Sequence, residues 1–446
     1  MDLKEKKVLV IGLARSGMAA IRLLHTIGVE DITLSERNEV EDRAYLDEIG
    51  VRIVKQSDEV FEGDYDLVIK NPGVPPVSPF IARLKERGIP VITEIELAYQ
   101  AAKPQHYITI TGTNGKTTTT TLVYEILKKA YGEDKAHVAG NIGIPLCEVV
   151  LNNRMLEEEG HYIALEISQG QLVDIDTFEP EVSAITNLTP DHIDSMGSLD
   201  NYYTSKTRVY ENMKGDEVFL KNMDDPNVLE YTERYPIPCT VKTFSLERED
   251  TDSYLKDGWI WIFGEKMLDR EQIGLVGMHN MQNIMIAASA CTAAGIDADK
   301  IREAVYSFKG VEHRIEFVRE LDGVKYYNDS KGTNTDATIT ALKAFDHGVI
   351  LLVGGFEKGL SMDEMKKHLG CVKHVIGYGL SGPRIAHDLV GEEAHVVDDL
   401  VEATHLAKEL AESGDTVLLS PTTSSFDQYS CFEERGDHFK SIVNDL

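Results

Sequence analysis

The sequence predicts an α/β protein assembled from three segments, each organised around a parallel sheet, and three observations predict it. Strand, turn and helix signals alternate along nearly all of the 446 residues, which is the pattern of strands joined by crossover helices. Glycine-rich turns such as "GLARSG" and "GTNGKT" fall where a strand gives way to a helix. The length exceeds what one hydrophobic core spans, and 42% hydrophobic with 27% charged residues is a folded composition.

Taken in order, "KKVLVIGLARSGMAAIRLLHTIG" reads as strand, glycine turn and helix, with further strands at "DITLSE" and "DLVIKNPGV". The polar, proline-containing break "AAKPQ" closes this first segment. The second opens with the strand "HYITITG" and continues with strands at "YIALEIS", "VSAITNL", "EVFLKN" and "WIWIFG", followed by the helical "HNMQNIMIAASACTAAGI". A second boundary falls within "FKGVEHRIEFV", after which "KYYND", "GVILLVGG", "KHVIGYG" and "DTVLLSP" repeat the alternation. The expected domains are therefore 1–103, 104–311 and 312–446, the outer two Rossmann-like and the central one of the phosphate-loop type.

The chain has 45 basic and 75 acidic residues, a formal charge of −30. This argues against nucleic acid or an anionic membrane as partner. Any anionic ligand must then be held by local donors, which draws attention to each lysine or arginine beside a glycine turn. The five cysteines are odd in number and widely spaced, as suits a reducing compartment. The N-terminus reaches glycine too soon for a signal-peptide core, and no apolar run approaches the ~18 residues of a membrane span. A cytoplasmic monomer without membrane insertion is the expectation.

The most informative stretch is "ITITGTNGKTTTTTLVYEIL", Ile108–Leu127. It has the glycines, lysine and hydroxyls of a phosphate loop between a strand and a helix, where backbone N–H groups and the helix dipole converge. Lys116 would reach the β- and γ-phosphates and Thr117 would offer its hydroxyl to magnesium. The strict pattern would have glycine where Ile110 stands. Five successive threonines form helix poorly on their own, so a plain helix start explains the segment less well.

The form "GTNGKTTTT" resembles the ATP loop of the Mur ligase family, which is related to folylpolyglutamate synthetases. The resemblance implies three domains and a reaction in which ATP phosphorylates a carboxylate and an amine displaces the phosphate. It makes Gly112, Thr113, Asn114, Gly115, Lys116, Thr117 and Thr118 contacts of ATP, and Lys116 catalytic.

Glu166 ends the strand "YIALEIS" and His192 follows the strand leading to "PDHID". Ligands of open parallel sheets collect beyond the carboxyl ends of strands, so Thr117, Glu166 and His192 can converge on magnesium. In "DNYYTSKTRVYENM", Tyr203, Lys206 and Tyr210 follow the spacing of one helix face, with Tyr202 and Val209 beside it. That turns Lys206 inward, where burial frees its amine to react with carbon dioxide. In the family the lysine at the matching position is carbamylated and helps hold a second magnesium, so the resemblance implies that role for Lys206. His192 is a further catalytic candidate as an aid to positioning.

In the third segment, Arg314, Asp329 and Lys331 suit a clamp of arginine on phosphate and carboxylate on ribose, while Asn280 and Asn283 open the helix that, by resemblance, meets adenine. Lys358, Ser425, Phe426 and Phe432 can seat a small dicarboxylate. The pattern S-P-x-x-x-S-x-D-Q-Y-x-x-F-E-x-R-G resembles that of family members adding D-glutamate to UDP-N-acetylmuramoyl-L-alanine in cytoplasmic peptidoglycan precursor synthesis. "GLARSG" nearly fits a dinucleotide fingerprint, with Ala14 in place of its middle glycine and Glu36 about 20 residues on. In those relatives this domain receives uridine diphosphate instead, which implies Ala14, Arg15, Ser16, Glu36, Arg37, Asn71 and Gly73 for the nucleotide. Asn141, Ser168 and Gln171 are then placed on the muramyl side.

The chain departs from the family at "SQGQL", where S-S-F-Q-L is common, and at "DHIDS", where arginine commonly follows the second aspartate. The leading reading is a D-glutamate-adding ligase using ATP and two magnesium ions. The alternatives are a relative adding another amino acid and, from a different class, an NAD-dependent dehydrogenase using Glu36.

Overall fold

The computed structural model describes residues 3–40, 43–191 and 193–446. Among these, the strands form three sheets of five, nine and six strands. The chain divides into two compact units, 1–273 with 281–307 and 274–280 with 308–446.

The first sheet contains β1 (Lys7–Ile11), β2 (Asp31–Glu36), β3 (Arg52–Lys55), β4 (Leu67–Lys70) and β5 (Val91–Thr93) in the order β3-β2-β1-β4-β5. Every pairing is parallel. The winding reverses between β1 and β4, so the turns that follow these two strands open the crevice where ligands of such sheets bind.

The second sheet contains β6 (His106–Thr111), β7 (Ala136–Gly140), β8 (Tyr162–Glu166), β9 (Val182–Ile185), β10 (Gly215–Asn222), β11 (Cys239–Ser245), β12 (Ser253–Lys256), β13 (Trp259–Ile262) and β14 (Glu265–Asp269). Its order is β14-β13-β12-β11-β10-β9-β6-β8-β7. From β12 to β7 the pairings are parallel, but β12–β13 and β13–β14 are antiparallel. "WIWIFG" is thus the middle of an antiparallel edge. The connections are too short for a parallel crossover: Asp257-Gly258 and Phe263-Gly264 both turn with positive φ at each residue, the conformation that two-residue hairpins require.

Both sheets of this unit share one apolar core. Val8, Val10, Leu34 and Ile69 of the first belong to the same buried cluster as Leu165 of the second, Leu146 and Val150 of the helix Leu146–Asn152, and Phe178. The turn after β4 and the loop after β8 consequently belong to one packed unit.

The second unit contains β15 (Glu316–Leu321), β16 (Val324–Asn328), β17 (Val349–Gly354), β18 (Val372–Tyr378), β19 (His395–Val396) and β20 (Thr416–Leu419), in the order β15-β16-β20-β17-β18-β19. Only β15–β16 is antiparallel, around another Asp-Gly turn at Asp322-Gly323. β17 is buried along its whole length, as the unbroken apolar run "VILLV" requires of a strand covered on both faces.

Candidate functional site

β6 ends at Thr111 and the helix Lys116–Tyr131 begins five residues on. Ile110 pairs with Glu166 of β8 and Thr111 with Ile185 of β9. The loop, Glu166 and the segment after β9 therefore emerge side by side. That segment grips the loop: Thr113 N donates to Asn187 O at 2.9 Å, Asn114 N to Asn187 Oδ1 at 2.9 Å, and Thr186 Oγ1 to Asn114 O at 2.6 Å. Gly112 (φ +138°) and Gly115 (φ +82°) adopt backbone that L side chains rarely reach, and a Cβ at either would collide with Thr186 Oγ1 or Asn283 Oδ1 respectively. Asn283 also accepts from Thr119 Oγ1 at 3.4 Å, so it lies beside the loop. Lys116 Nζ curls back to donate to Thr113 O at 2.8 Å, and Thr117 and Thr118 are buried.

Glu166 is buried. Its Oε1 accepts from Asn141 Nδ2 at 2.8 Å, whereas Oε2 has no hydrogen-bond partner among the described residues. Lys206 is 0% exposed, and its Nζ likewise has no hydrogen-bond partner among them. Burial first, and then the charge of Lys116, push its amine well below the usual lysine range, against the opposite pull of Asp191 and Glu166. Lys116, Asp191 and Glu166 thus all lie within electrostatic reach of the Lys206 amine. The α-helix Leu199–Thr207 tightens to a 3-10 turn at Arg208–Tyr210, so Tyr210 does not continue the face predicted for Tyr203 and Lys206. Tyr202 covers the amine instead, its ring centroid 4.7 Å from Nζ, and its hydroxyl donates to Thr113 Oγ1 at 3.1 Å. Tyr203 packs edge-on against Tyr231. His192 lies outside the described residues. An unpartnered buried carboxylate oxygen, a threonine at the loop's end and a buried amine whose ionisation burial disfavours together fit a hard divalent cation.

A cavity of about 340 Å³ opens between the two sheets of this unit, lined by Ala14, Arg15, Ser16, Asn71, Pro72, Gly140, Asn141, Gly143, Pro145 and Gln171. It brings together Ala14, Arg15, Ser16, Asn71, Asn141 and Gln171 of the residues expected to hold the muramyl nucleotide. Asn141 belongs to both places, lining the cavity while its amide holds Glu166. Glu36 does not line the cavity: its carboxylate accepts from Leu13 N at 2.6 Å and Arg37 N at 2.7 Å. Burial opposes its ionisation, but these backbone donors and Arg37 outweigh it and hold the carboxyl below its usual range. The ribose ligand that a dehydrogenase would need is thus committed to the glycine turn. Arg37 Nε donates to Gln56 Oε1, Gly73 N to Asn71 Oδ1, and Ser168 N and Oγ both to Gln171 Oε1, so Ser168 orients Gln171 by a capping box.

In the second unit, Asp329 is buried, its carboxylate accepting from Ser420 Oγ at 2.7 Å and Ile315 N at 3.2 Å. Burial pushes its pKa up to about 7. Asp329 thus braces its own loop. Arg314 Nε is buried without a hydrogen-bond partner among the described residues, and Asn280 Nδ2 donates to Val276 O. Lys331 Nζ stands 5.5 Å from the Phe432 ring centroid. Lys358 Nζ donates to Thr333 O at 3.3 Å; burial, then the charge of Arg435, lower its pKa. Ser425 is buried, whereas Phe426 is 67% exposed. Sequence reading missed Arg435, which is fully buried and donates to Ser330 O at 2.9 Å and Thr423 O at 3.2 Å, joining the loops after β16 and β20. The signal was the arginine of F-E-x-R-G.

Residues 110–291 match the Mur ligase middle domain, and residues 313–423 match the Mur ligase glutamate ligase domain. Over its full length the chain is 38% identical to the UDP-N-acetylmuramoylalanine–D-glutamate ligase of Caldanaerobacter subterraneus subsp. tengcongensis, covering 100% of that protein. It is 41% identical to the protein of the same name from Thermoanaerobacter pseudethanolicus, again over 100% of both. The chain belongs to the Mur ligase family. The family fold extends to distant solved members. The UDP-N-acetylmuramate–alanine ligase of Thermotoga maritima superposes with a TM-score of 0.58 at 22% identity, over 99% of this chain and 100% of that one. The MurF ligase of the same organism, solved with ADP, gives 0.58 at 17% identity, over 100% and 96%.

Proposed function

We propose that this Mur ligase joins D-glutamate to UDP-N-acetylmuramoyl-L-alanine at the expense of ATP, through an acyl phosphate, as a step of peptidoglycan precursor synthesis. The observation that carries the reading is Asn141, which lines the cavity and holds Glu166 beside the phosphate loop. A nucleotide-linked carboxylate entering from the cavity would end where ATP phosphates are bound.

The loop N–H groups and Lys116 hold the ATP phosphates, Lys116 exchanging its bond to Thr113 O for phosphate oxygen. A carboxylate oxygen of the alanyl group attacks the γ-phosphorus as the bond to the β-phosphate oxygen breaks, leaving ADP and an acyl phosphate. The D-glutamate amine then attacks the acyl carbon. The carbon–oxygen bond breaks, phosphate departs with that oxygen, and the amine's surplus proton passes to water. Thr117, Glu166, His192 and a carbamate on Lys206 would hold two magnesium ions, which supply charge compensation to the phosphates when bound. The ATP roles of Asn280, Asn283, Arg314, Asp329 and Lys331, and the seating of D-glutamate by Lys358, Ser425, Phe426 and Phe432, rest on the family resemblance. The division into domains 1–103, 104–311 and 312–446, the monomeric state and the cytoplasmic location are carried over from the reading of the sequence.

The reading is tested by phosphate release from ATP with each substrate omitted in turn. Release that requires both the muramyl nucleotide and D-glutamate supports it. Release that ignores either one, or that runs as well with another amino acid, contradicts it.

A further inference from the structure

Lys70 ends β4 and is 0% exposed, yet the reaction described above makes no use of it. Its Nζ donates to Val74 O at 3.3 Å and Gly170 O at 3.2 Å, and pairs with Asp174 Oδ2 at 3.3 Å. The other carboxylate oxygen of Asp174 takes Lys85 Nζ at 2.6 Å. Val74 closes the turn that begins with Asn71 and Pro72, one wall of the cavity, while Gly170 precedes Gln171, which lines the other. One amino group therefore bonds to the backbone of both walls.

Gly170 supplies a second, independent observation. A Cβ there would stand 2.9 Å from Pro72 O, so only glycine lets the walls approach this closely. The departure "SQGQL" fits this close approach, and Lys70 fastens it.

We propose that Lys70 is a positioning residue for the muramyl nucleotide, its buried amino group fixing the separation between the Asn71–Val74 turn and the helix Gln169–Leu172. The inference rests on the reading that this cavity receives that nucleotide. A buried charged side chain is costly to desolvate, and an apolar residue would serve a plain core as well. Two directed hydrogen bonds to cavity backbone, with the Asp174 ion pair behind them, are what geometric control requires.

The test is steady-state kinetics and hydrogen–deuterium exchange on Lys70→Met, a substitution that keeps length and leaves Asp174 paired with Lys85. The KM for UDP-N-acetylmuramoyl-L-alanine is expected to rise roughly tenfold or more, while kcat and the KM values for ATP and D-glutamate stay within about twofold. Exchange should rise in residues 71–74 and 168–172 together. Gly170→Ala, which leaves the charges intact, should shift the same KM in the same direction. A fall in kcat or thermal stability with that KM unchanged, or faster exchange in only one wall, would overturn the inference and leave Lys70 a brace of the core. The exchange needs no substrate and judges the inference alone, whereas inactivity of the wild type would count against the functional reading alone.

Discussion

At Gly115 the addition of one methyl group is enough to disturb the phosphate loop, because φ is +82° and Asn283 Oδ1 occupies the space a Cβ would take. Gly115→Ala is expected to cost ~1–2 kcal/mol of stability for the left-handed backbone alone and to weaken ATP binding by roughly tenfold, measured by titration calorimetry. ATP affinity equal to wild type would show that the loop reshapes on binding. For Lys206 the expected signature is a carbamate carbon in the carbon-13 NMR spectrum of protein equilibrated with labelled bicarbonate, absent from Lys206→Met. A third prediction concerns His137, whose Nε2 lies 2.9 Å from His161 Nδ1, with Lys135 and Glu158 nearby. Burial foremost, then the charges of His161 and Lys135, lowers its pKa to about 4 from 6.5. The unfolded chain then binds the extra proton first. Stability contributed by the neutral ring is full above about pH 6.5 and is lost as pH falls toward 4. His137→Gln should flatten that acid limb in melting curves, and parallel curves would contradict the assignment. At this scale the sequence was legible where chemistry is local, as in Gly112–Thr117. Lys70 was opaque because its partner Gly170 lies 100 residues away, and nothing adjacent in the chain marks it as buried.

Among the elements, the helix Pro226–Arg234 shows how one cap can serve two structures. Asp225 Oδ1 accepts from Val228 N at 2.9 Å as its cap, while Oδ2 accepts from Leu188 N at 2.9 Å in the segment that grips the phosphate loop. Asp225→Ala should therefore cost ~1–2 kcal/mol in urea unfolding and also weaken ATP binding. Loss of stability without loss of affinity would separate the cap from the loop. Strands β1, β6, β17 and β18 were readable because their apolar runs end in glycine turns. The edge hairpins were not recognised, although Asp257-Gly258 and Asp322-Gly323 carry the dipeptide that favours them. The 3-10 turn after Thr207 was invisible to periodicity, which assumes 3.6 residues per turn throughout.

For the molecule as a whole, a net charge of −30 coexists with proposed sites for three anionic substrates. The donors are accordingly local: backbone N–H groups at the phosphate loop, Lys116, and Arg15 at the cavity. Alternation of strands and helices was sufficient to read three sheets. It could not show that two of them share one core, because that depends on which helix faces meet rather than on where each element lies in the chain. Nor could spacing separate a Mur ligase from other users of a phosphate loop; the form "GTNGKTTTT" carried that resemblance, and the C-terminal pattern narrowed it to members adding D-glutamate. The central claim is that ATP activates the alanyl carboxylate of the muramyl nucleotide, and oxygen-18 in that carboxylate tests it most directly. Turnover with D-glutamate should deliver one labelled oxygen into the phosphate released, read by mass spectrometry. Amide product accompanied by unlabelled phosphate would contradict it.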